Sequence, residues 1–378
     1  MTHMTLSAVV FGAGRTGRGL AADLCRRNGV EWVLVDRNPA LVTALSAAGS
    51  YELEILGAGR SRLVPQQVAT LADDAWFPAL GCAQWAFTAV VGSNFPVLAP
   101  RLAAALVARA AARNTSPLDI ITCENLTHAA AVLRAAVAAH LPAETRDSIL
   151  ARTGFVEAMV LTTSLGPADP VADPLAVRSQ NLLRLPCDGE AFRGDPRPLA
   201  GLEPLPRFAN QLQRKIHTYN GINAVVSYLG ALRGHTLLAP ASTDPVIRPW
   251  AIQAGDEASR ALIAEFGFAP DEQAAWAATA LAKFSDPLIP DPITRNAGDP
   301  ARKLAREDRL VGPALLALRH GIIPLALARG IAAATRYRDG VEPSLLQRHG
   351  TVAAVLAATA GLEADHPLVR LAEDAGDA

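Results

Sequence analysis

Lysine is scarce in this chain: among 35 basic residues only Lys215, Lys283 and Lys303 are lysines. Codon bias toward arginine would explain that composition, so the neighbouring residues must decide. An ammonium can lose its proton when it is desolvated, whereas a guanidinium stays charged at any accessible pH. On a helix that turns about 100° per residue, Asn220 and Asn223 share one broad face with Lys215. A buried lysine there would have a lowered pKa and could act as a general base. Lys283, in LAKFSDP, has no role that we can assign and is expected to be exposed.

A glycine-rich segment near the N-terminus has the composition of a nucleotide-binding turn. Ser7 to Phe11 is apolar, as a buried strand would be, and GAGRTG follows before a helix-like stretch, Arg18 to Arg27. The first glycine permits a tight turn, the second lets a pyrophosphate approach the backbone, and the third lets the helix pack on the strand. The helix N-terminus adds N–H groups and a positive dipole. The predicted cofactor contacts in this turn are Gly12, Ala13, Gly14, Arg15, Thr16 and Gly17.

An acidic residue follows the next apolar run at the distance expected of a ribose ligand. The run Glu31 to Val35 ends in Asp36, which lies 19 residues after Gly17 (36 minus 17). A carboxylate there favours NAD, because it would repel the 2′-phosphate of NADP. Arg37 could accept that phosphate or be a solvated loop residue, and Arg18 could reach the pyrophosphate or be a surface arginine. NAD is therefore the predicted cofactor, with Asp36 and Arg37 as predicted contacts.

Two further apolar runs end in polar or small residues. They are Trp85 to Val91 and Leu118 to Cys123. Alanine-rich helical stretches such as Arg101 to Arg113 lie between them, so strands alternate with helices as in a doubly wound parallel sheet. Ligands of such sheets bind beyond the carboxyl ends of the strands. The residues predicted at this edge, each of which could instead be a loop cap, are Thr88, Gly92, Glu124 and Asn125.

The composition changes after about Leu165. The stretch from there to about Pro206 is rich in proline, which predicts an irregular crossing segment. Helical patterns dominate from Arg207 onward. They cover Gln211 to Leu232, Trp250 to Phe266, Glu272 to Lys283, Gly312 to Leu318 and Ile322 to Tyr337. The sequence thus predicts an α/β protein with a Rossmann-type domain over residues 1–200 and a mostly α-helical substrate domain over residues 201–378.

Charge and cysteine content argue against several classes of protein. The 35 basic residues are balanced by 36 acidic ones without a basic block, so neither nucleic acid nor an anionic membrane is an expected partner. The start of the chain does not resemble a signal peptide, and no apolar run is long enough to span a bilayer. Cys25, Cys82, Cys123 and Cys187 lack the spacing of a metal site and are expected to be small buried side chains. We expect a cytoplasmic protein with a small-molecule substrate.

Five motifs are distributed over nearly the full chain: FGAGRTGRG at 11–19, ITCEN at 121–125, QRKIHTYN through SYLG at 213–230, RNAGDPARKLAREDRL at 295–310 and GIAAA at 330–334. Together they resemble the motifs of the long-chain polyol-specific dehydrogenases, the mannitol dehydrogenase family. The similarity is greatest to members that act on mannitol 1-phosphate. The resemblance implies zinc-independent oxidation of a secondary alcohol with NAD, by a monomer or weak homodimer.

The resemblance also assigns roles to single residues. The family's general base matches Lys215, and the two asparagines that hold the alkoxide oxygen match Asn125 and Asn220. Its substrate-binding arginine and lysine, eight residues apart, match Arg295 and Lys303. The chemistry is reasonable, because removal of the hydroxyl proton supplies the electron density that hydride departure needs.

Two departures from the family fall where the substrate would be held. The family has a histidine three residues after the second asparagine, where this chain has Asn223, and an Asp-Arg pair where this chain has Leu161 and Thr162. Asn223 is therefore a predicted substrate contact in place of the imidazole. His217, on the same predicted helix, could partly replace that imidazole or be an ordinary core or surface histidine.

Other charged residues near these motifs have two interpretations each. Glu157 could hydrogen-bond the substrate or merely end a strand. Arg302 or Arg309 could help to bind a phosphate through a bidentate fork, or could pair with Glu307 or Asp308, which we prefer.

Three functions are consistent with this pattern. The first is interconversion of an open-chain polyol or sugar phosphate and its ketose, with mannitol 1-phosphate and fructose 6-phosphate as the default pair. The second applies the same chemistry to an unphosphorylated polyol, a sugar acid or a cyclitol-like compound, because the altered residues would face the substrate. The third is a dinucleotide-binding sensor without catalysis, against which the retained Lys215, Asn125 and Asn220 argue.

Overall fold

A computed structural model describes residues 6–124, 126, 128–196, 199–338 and 340–377. The chain divides into two compact units, Met1–Phe208 and Ala209–Ala378. The first is built on a parallel sheet and the second is mostly helical, which confirms the fold class predicted from the sequence. Asn125, predicted to be catalytic, lies outside the described residues.

Parallel strands form the centre of the first unit. The strands, in chain order, are β1 (Ser7–Phe11), β2 (Glu31–Asp36), β3 (Tyr51–Ile55), β4 (Gly59–Leu63), β5 (Gln67–Thr70), β6 (Trp85–Thr88), β7 (Leu118–Thr122), β8 (Thr153–Glu157), β9 (Ser164–Leu165), β10 (Val177–Ser179), β11 (Leu185–Asp188) and β12 (Leu202–Leu205). Six form one sheet in the order β5-β2-β1-β6-β7-β8, with parallel pairing throughout. The order reverses direction between β1 and β6, and in such sheets a ligand binds outside the carboxyl ends at that point.

Helices connect the strands of the first unit. They are α1 (Ala22–Arg27), α2 (Pro39–Ala48), α3 (Phe77–Cys82), α4 (Phe95–Ala111), α5 (Ala129–His140) and α6 (Ala143–Arg152). Alternate strand side chains point to opposite faces, so Val10 and Phe87 belong to one hydrophobic core and Val9 and Ala86 to another. Both faces of the sheet are therefore buried, as parallel sheets require. Three cysteines are buried, but Cys82 ends α3 and is exposed, so the expectation of four buried cysteines is wrong.

The proline-rich segment contains more regular structure than its composition predicts. Strands β9 and β10 join β3 and β4 in a four-stranded sheet, and β11 pairs with β12 in parallel. Pro186 and Pro204 lie within paired strands. The prediction of an irregular segment is wrong here, because these strands have two to four residues and one of them pairs with β3, far away in the sequence.

Helices make up the regular structure of the second unit, within the residues described. They are α7 (Phe208–Arg214), a π-helical turn (Lys215–Asn220), α8 (Gly221–Leu232), α9 (Leu238–Thr243), α10 (Ile247–Phe266), α11 (Pro270–Phe284), α12 (Ile293–Ala297), α13 (Pro300–Lys303), α14 (Val311–Arg319), α15 (Leu325–Arg336), α16 (Leu345–His349), α17 (Val352–Ala360) and α18 (Pro367–Asp377). Helix α8 lies in the core, where Val225, Val226 and Tyr228 are fully buried. No helix in the described ranges has the length and apolar character needed to cross a membrane.

Candidate functional site

The glycine-rich turn after β1 has the geometry of a nucleotide-binding turn. Gly12 has a φ of +94°, and a Cβ there would lie 2.4 Å from the carbonyl oxygen of Ala89. A Cβ at Gly17 would lie 1.8 Å from the carbonyl oxygen of Gly12, whereas one at Gly14 would meet no atom within 4 Å. The fold itself therefore requires the first and third glycines, and the second leaves the backbone open to a ligand.

Asp36, at the end of β2, stabilises this turn through hydrogen bonds. Its carboxylate accepts hydrogen bonds from the backbone N–H of Ala13 at 2.7 Å and of Asn38 at 2.8 Å. With Arg37 and Gly14 it lines a cleft of about 240 Å³. The residue predicted to bind ribose and the turn predicted to bind pyrophosphate thus share one cleft. Two other predicted contacts, Arg15 and Thr16, are exposed and half-buried, respectively.

Arg18 is buried, so the interpretation of it as a surface arginine is wrong. Its Nε donates to the carbonyl oxygen of Ala13 at 2.7 Å, and its guanidinium also donates to the carbonyl oxygen of Leu175. The guanidinium lies 5.4 Å from the centroid of the Tyr51 ring. The helix begins as a π-helical turn, Gly17–Ala21, instead of an α-helix from Arg18. Arg18 therefore supports the glycine-rich turn from within the unit.

Glu124 connects the carboxyl ends of two neighbouring strands. It accepts hydrogen bonds from the hydroxyl of Thr88 at 2.7 Å and from the backbone N–H of Val90 at 3.0 Å. Thr88 is fully buried and Glu124 nearly so, and burial raises the pKa of this carboxyl. These two predicted cofactor contacts thus hold each other in position at the binding edge.

The chain leaves β6 in a strained conformation. The strand ends at Thr88, and Val91, predicted to be its last residue, has a φ of +66° and lines the 240 Å³ cleft. A β-branched residue rarely adopts this conformation, and such strain is concentrated at functional sites. Gly92, a predicted cofactor contact, follows directly and begins a short 3₁₀ turn, Gly92–Asn94.

Glu157 lies at the end of β8, on the same edge of the sheet. Its carboxylate accepts a hydrogen bond from the backbone N–H of Ala129 at 3.2 Å, at the start of α5, and burial raises its pKa. The family's Asp-Arg pair would follow this strand. Leu161 is buried there, and the hydroxyl of Thr162 donates to the carbonyl oxygen of Leu182, so neither residue supplies a charge.

In the second unit, Lys215 and Asn220 are the first and last residues of a π-helical turn, instead of the α-helix assumed from the sequence. In an α-helix these two residues would lie roughly 140° apart around the axis. In a π-helix hydrogen bonds join residues five apart, and Asn220 follows Lys215 by five positions. The π-helical turn therefore brings the amine and the amide to one side, and such turns are frequent at functional sites.

The Lys215 amine is buried, and it is available to accept a proton. Lys215 is 9% exposed, and its Nζ makes no hydrogen bond within the part of the chain that the structure describes. Burial, and then the positive charge of Arg309, lower the pKa of Lys215 to about 8. Asn220 is half-buried, and its amide likewise has no hydrogen bond among the described residues. The amine can accept a proton near neutral pH, and the amide can donate to a ligand.

A buried polar network that sequence reasoning missed fixes this turn. Gln273 of α11 is fully buried and accepts a hydrogen bond from Nε of Arg214 at 2.6 Å. Its amide donates to the hydroxyls of Thr218 at 2.9 Å and Ser259 at 3.1 Å. Helix α11 is thus hydrogen-bonded to residues on both sides of Lys215 in the sequence. A glutamine in a surface-like helical pattern gave no sign of this role.

Lys283 is half-buried, so the expectation that it is exposed is wrong. Its Nζ lies 5.7 Å from the centroid of the Tyr219 ring, in the π-helical turn. Burial, then the charge of Lys215, lower the pKa of Lys283 to about 8, while Asp291 acts in the opposite direction. The periodicity of α11 could not show this, because the residues around Lys283 come from other segments of the chain.

The two residues matched to the family's substrate-binding pair differ in their surroundings. Lys303 is 3% exposed and donates to the carbonyl oxygens of Asn296 and Gly298, and burial lowers its pKa to about 8. The Arg295 side chain is 58% exposed, and one of its nitrogens donates to Asp291 at 3.0 Å. Arg295 therefore retains donors for a ligand, whereas Lys303 is largely used within the protein.

Nearby charged residues pair with one another. Arg302 contacts Asp299 at 2.8 Å and Asp308 at 3.4 Å, and Arg309 contacts Asp308 at 2.6 Å. The preferred interpretation of the two arginines, pairing with an acidic neighbour, is confirmed for Asp308.

Asn223 and His217 occupy distinct environments. The Asn223 amide donates to the side-chain oxygen of Asn296 at 3.2 Å, so two neutral amides lie together where the family has an imidazole. His217 is 3% exposed, and burial lowers its pKa to about 4, so it is neutral. A Cβ at Gly312 would lie 2.9 Å from its Nε2. His217 is therefore a buried core histidine.

Comparison with known families agrees with these two units. Residues 6–195 match the model of the mannitol dehydrogenase Rossmann domain, and residues 209–355 match that of the mannitol dehydrogenase C-terminal domain. The chain therefore belongs to the mannitol dehydrogenase family.

Solved structures show the same fold. A D-sorbitol dehydrogenase in substrate-free form matches with a TM-score of 0.81 and 16% identity, over 99% of this chain and 93% of that one. Pseudomonas fluorescens mannitol 2-dehydrogenase, solved as a ternary complex with NAD and D-mannitol, matches with a TM-score of 0.75 and 17% identity, over 99% and 92%. The first unit of this chain fits NAD, because the open backbone at Gly14 and the carboxylate of Asp36 suit its pyrophosphate and ribose.

Proposed function

We propose that this protein is an NAD-dependent, metal-independent oxidoreductase that interconverts a secondary alcohol of a polyol or sugar phosphate and the corresponding ketose. One observation carries the proposal: Lys215 is a buried amine with a pKa of about 8, without a hydrogen bond to other described residues, in a π-helical turn that also carries Asn220. A general base should titrate near the working pH. A buried amine with a strongly lowered pKa is typical of a functional site.

The roles follow from the chemistry of the side chains. NAD, when bound, accepts the hydride that leaves the carbinol carbon. Lys215 takes the hydroxyl proton in the direction of oxidation and returns it in reduction. The amide of Asn220 donates a hydrogen bond to the oxygen as negative charge develops on it. The family resemblance assigns Asn125 as the second amide donor.

A phosphorylated substrate is the first candidate, and it would make the protein resemble mannitol-1-phosphate 5-dehydrogenase. Arg295 supports it, since a guanidinium has five N–H donors and this one directs a single nitrogen at Asp291. The remaining donors of an exposed arginine could bind phosphate as a bidentate fork. Mannitol 1-phosphate and fructose 6-phosphate are the first pair to test.

An unphosphorylated polyol, sugar acid or cyclitol-like compound is the second candidate. Lys303 favours it, because its ammonium already donates to two backbone carbonyls. The neutral amides of Asn223 and Asn296 are suited to hydroxyl groups. The two structural relatives named above are dehydrogenases of free polyols by name.

A substrate panel separates these candidates. We would follow NAD reduction with mannitol 1-phosphate, sorbitol 6-phosphate, mannitol and sorbitol, and NADH oxidation with fructose 6-phosphate and fructose. If the phosphate is bound by Arg295, Arg295→Gln raises KM for the phosphorylated substrate about 100-fold and leaves KM for a free polyol unchanged. Arg260→Gln, which removes another arginine that is 58% exposed, is the matched control.

Three outcomes would change the assignment. Turnover of free polyols alone excludes the phosphorylated substrate. Tight NAD binding without turnover of any polyol or ketose would point to a sensor. Full activity of Lys215→Arg would overturn the general-base role.

A further inference from the structure

Gln273, in the first turn of α11, is a fully buried amide whose orientation is fixed by its partners. Its oxygen accepts a hydrogen bond from Nε of Arg214 at 2.6 Å, and its NH2 group donates to the hydroxyls of Thr218 at 2.9 Å and Ser259 at 3.1 Å. Because a guanidinium can only donate, the amide oxygen must face Arg214 and the NH2 group must face the two hydroxyls. Both N–H donors of the amide are therefore used within the protein.

Aromatic rings reinforce the contact of α11 with the residues on either side of Lys215. The guanidinium of Arg214 lies 5.1 Å from the centroid of the Trp276 ring and 4.8 Å from that of Phe268. A cation in such a position is attracted by the ring face. The same Trp276 ring packs against the ring of Tyr219 at 5.6 Å between centroids. Helix α11 thus contacts both flanks of Lys215 by packing as well as by hydrogen bonds.

The π-helical turn, Lys215–Asn220, depends on such contacts. π-Helices are rare, so the backbone alone does not favour one here. The side chains of Lys215 and Asn220 make no hydrogen bond among the described residues, so they do not hold the turn either. In an α-helix the two would lie roughly 140° apart around the axis.

We propose that Gln273 is a positioning residue whose hydrogen bonds to Arg214 and Thr218 hold this segment in its π-helical form. The π-helical form presents the amine and the amide of the proposed site on one side, and without the Gln273 amide the two groups move apart. This inference rests on the proposed function of Lys215 and adds a residue to it.

Two substitutions in this network form a matched pair. Thr218→Val keeps the shape of the side chain and removes the hydroxyl that joins Gln273 to the π-helical turn. Ser259→Ala removes the hydroxyl that joins Gln273 to α10 instead. Each leaves one N–H of the same buried amide without its partner, so the two should lower the thermal midpoint by similar amounts. Only Thr218→Val loosens the turn.

Turnover should distinguish the two variants. Thr218→Val should lower kcat for alcohol oxidation about tenfold, and Gln273→Met, which removes the whole amide, about 100-fold, since a displacement of about 1 Å at the reacting groups can cost that much. Ser259→Ala should keep the kcat of the unmodified chain. KM for NAD should be unchanged in all three variants, because the glycine-rich turn lies in the other unit.

The scarcity of lysine allows a second test that does not need turnover. Lysine labelled with ¹³C at Cε gives three signals in a chain with Lys215, Lys283 and Lys303, and single replacements by arginine assign them. In Thr218→Val the Lys215 signal should move, and the pKa of Lys215 should rise above about 8 as its burial decreases. Ser259→Ala should leave that signal in place. An unchanged Lys303 signal shows that the second unit is still folded.

The inference is overturned if Thr218→Val and Ser259→Ala lower kcat equally, or if Thr218→Val changes neither kcat nor the Lys215 signal. Thr218→Val is a smaller change than Gln273→Met, so it decides the matter if the methionine variant does not fold. Failure of the proposed function would be recognised separately. Full activity of Lys215→Arg would end the general-base role, whereas the Lys215 signal would still report whether Gln273 holds the turn.

Discussion

The two units present their candidate site residues by different physical means. In the first, the binding edge is defined by backbone: a glycine at φ +94°, an open position at Gly14, and strand ends joined by Glu124. In the second, the candidate site is defined by side chains whose pKa values burial has changed, and these residues lie up to 88 positions apart in the sequence (303 minus 215). Backbone geometry leaves a local signal in the sequence, whereas a cluster of side chains from different helices does not.

This difference predicts that substitutions in the two regions impair different properties of the protein. Changes at the glycine-rich turn should affect folding or NAD affinity. Changes at the amines should affect rate and its pH dependence while the fold and NAD binding persist.

Loss of the Lys215 amine is the largest expected effect. Lys215→Met should lower kcat for alcohol oxidation by about 100-fold to 10,000-fold, which is the usual contribution of a general base. NAD affinity, measured by calorimetry, should be unchanged, because the glycine-rich turn lies in the other unit. A variant that retains its turnover would place the base elsewhere.

In the first unit, substitution of Gly12 should impair folding, whereas substitution of Gly14 should impair NAD binding. Gly12→Ala forces a Cβ to within 2.4 Å of a carbonyl oxygen at a φ of +94°, and should lower the free energy of unfolding by about 3 kcal/mol. Gly14→Ala meets no atom within 4 Å, so the thermal midpoint should hold while the Kd for NAD rises about tenfold. Equal loss of stability in both variants would contradict the role assigned to Gly14.

The pH dependence is the smallest and most specific effect. Neutral Lys215 is the form that accepts a proton, so kcat for oxidation should rise about tenfold per pH unit at low pH and level off above its pKa of about 8. Reduction needs the protonated amine and should decline above the same pH. Rate profiles at saturating NAD and substrate test this, and an oxidation rate that is flat across pH 8 would argue against Lys215.

The tertiary structure confirmed some of the expectations from the sequence and contradicted others. The strands around Val9 and Val33 were predictable, because continuous apolar runs bounded by glycine and acidic residues define a parallel sheet locally. The short strands β9 to β12 were missed, since each has only two to four residues and one of them, β10, pairs with β3, which is remote in the sequence. The end of β6 was placed three residues too late, because the bond from Val90 to Glu124 redirects the chain there.

The sequence by itself determined the alternation of strands and helices, the nucleotide-binding turn and the family, since these depend on glycine, apolar periodicity and motif spacing. Tertiary structure alone decided that residues 215–220 form a π-helical turn and that Lys283 lies over Tyr219. It also decided that Lys303 donates to backbone carbonyls. The physical reason is that the pKa and contacts of a lysine depend on burial and on charges from other segments, which no local pattern records.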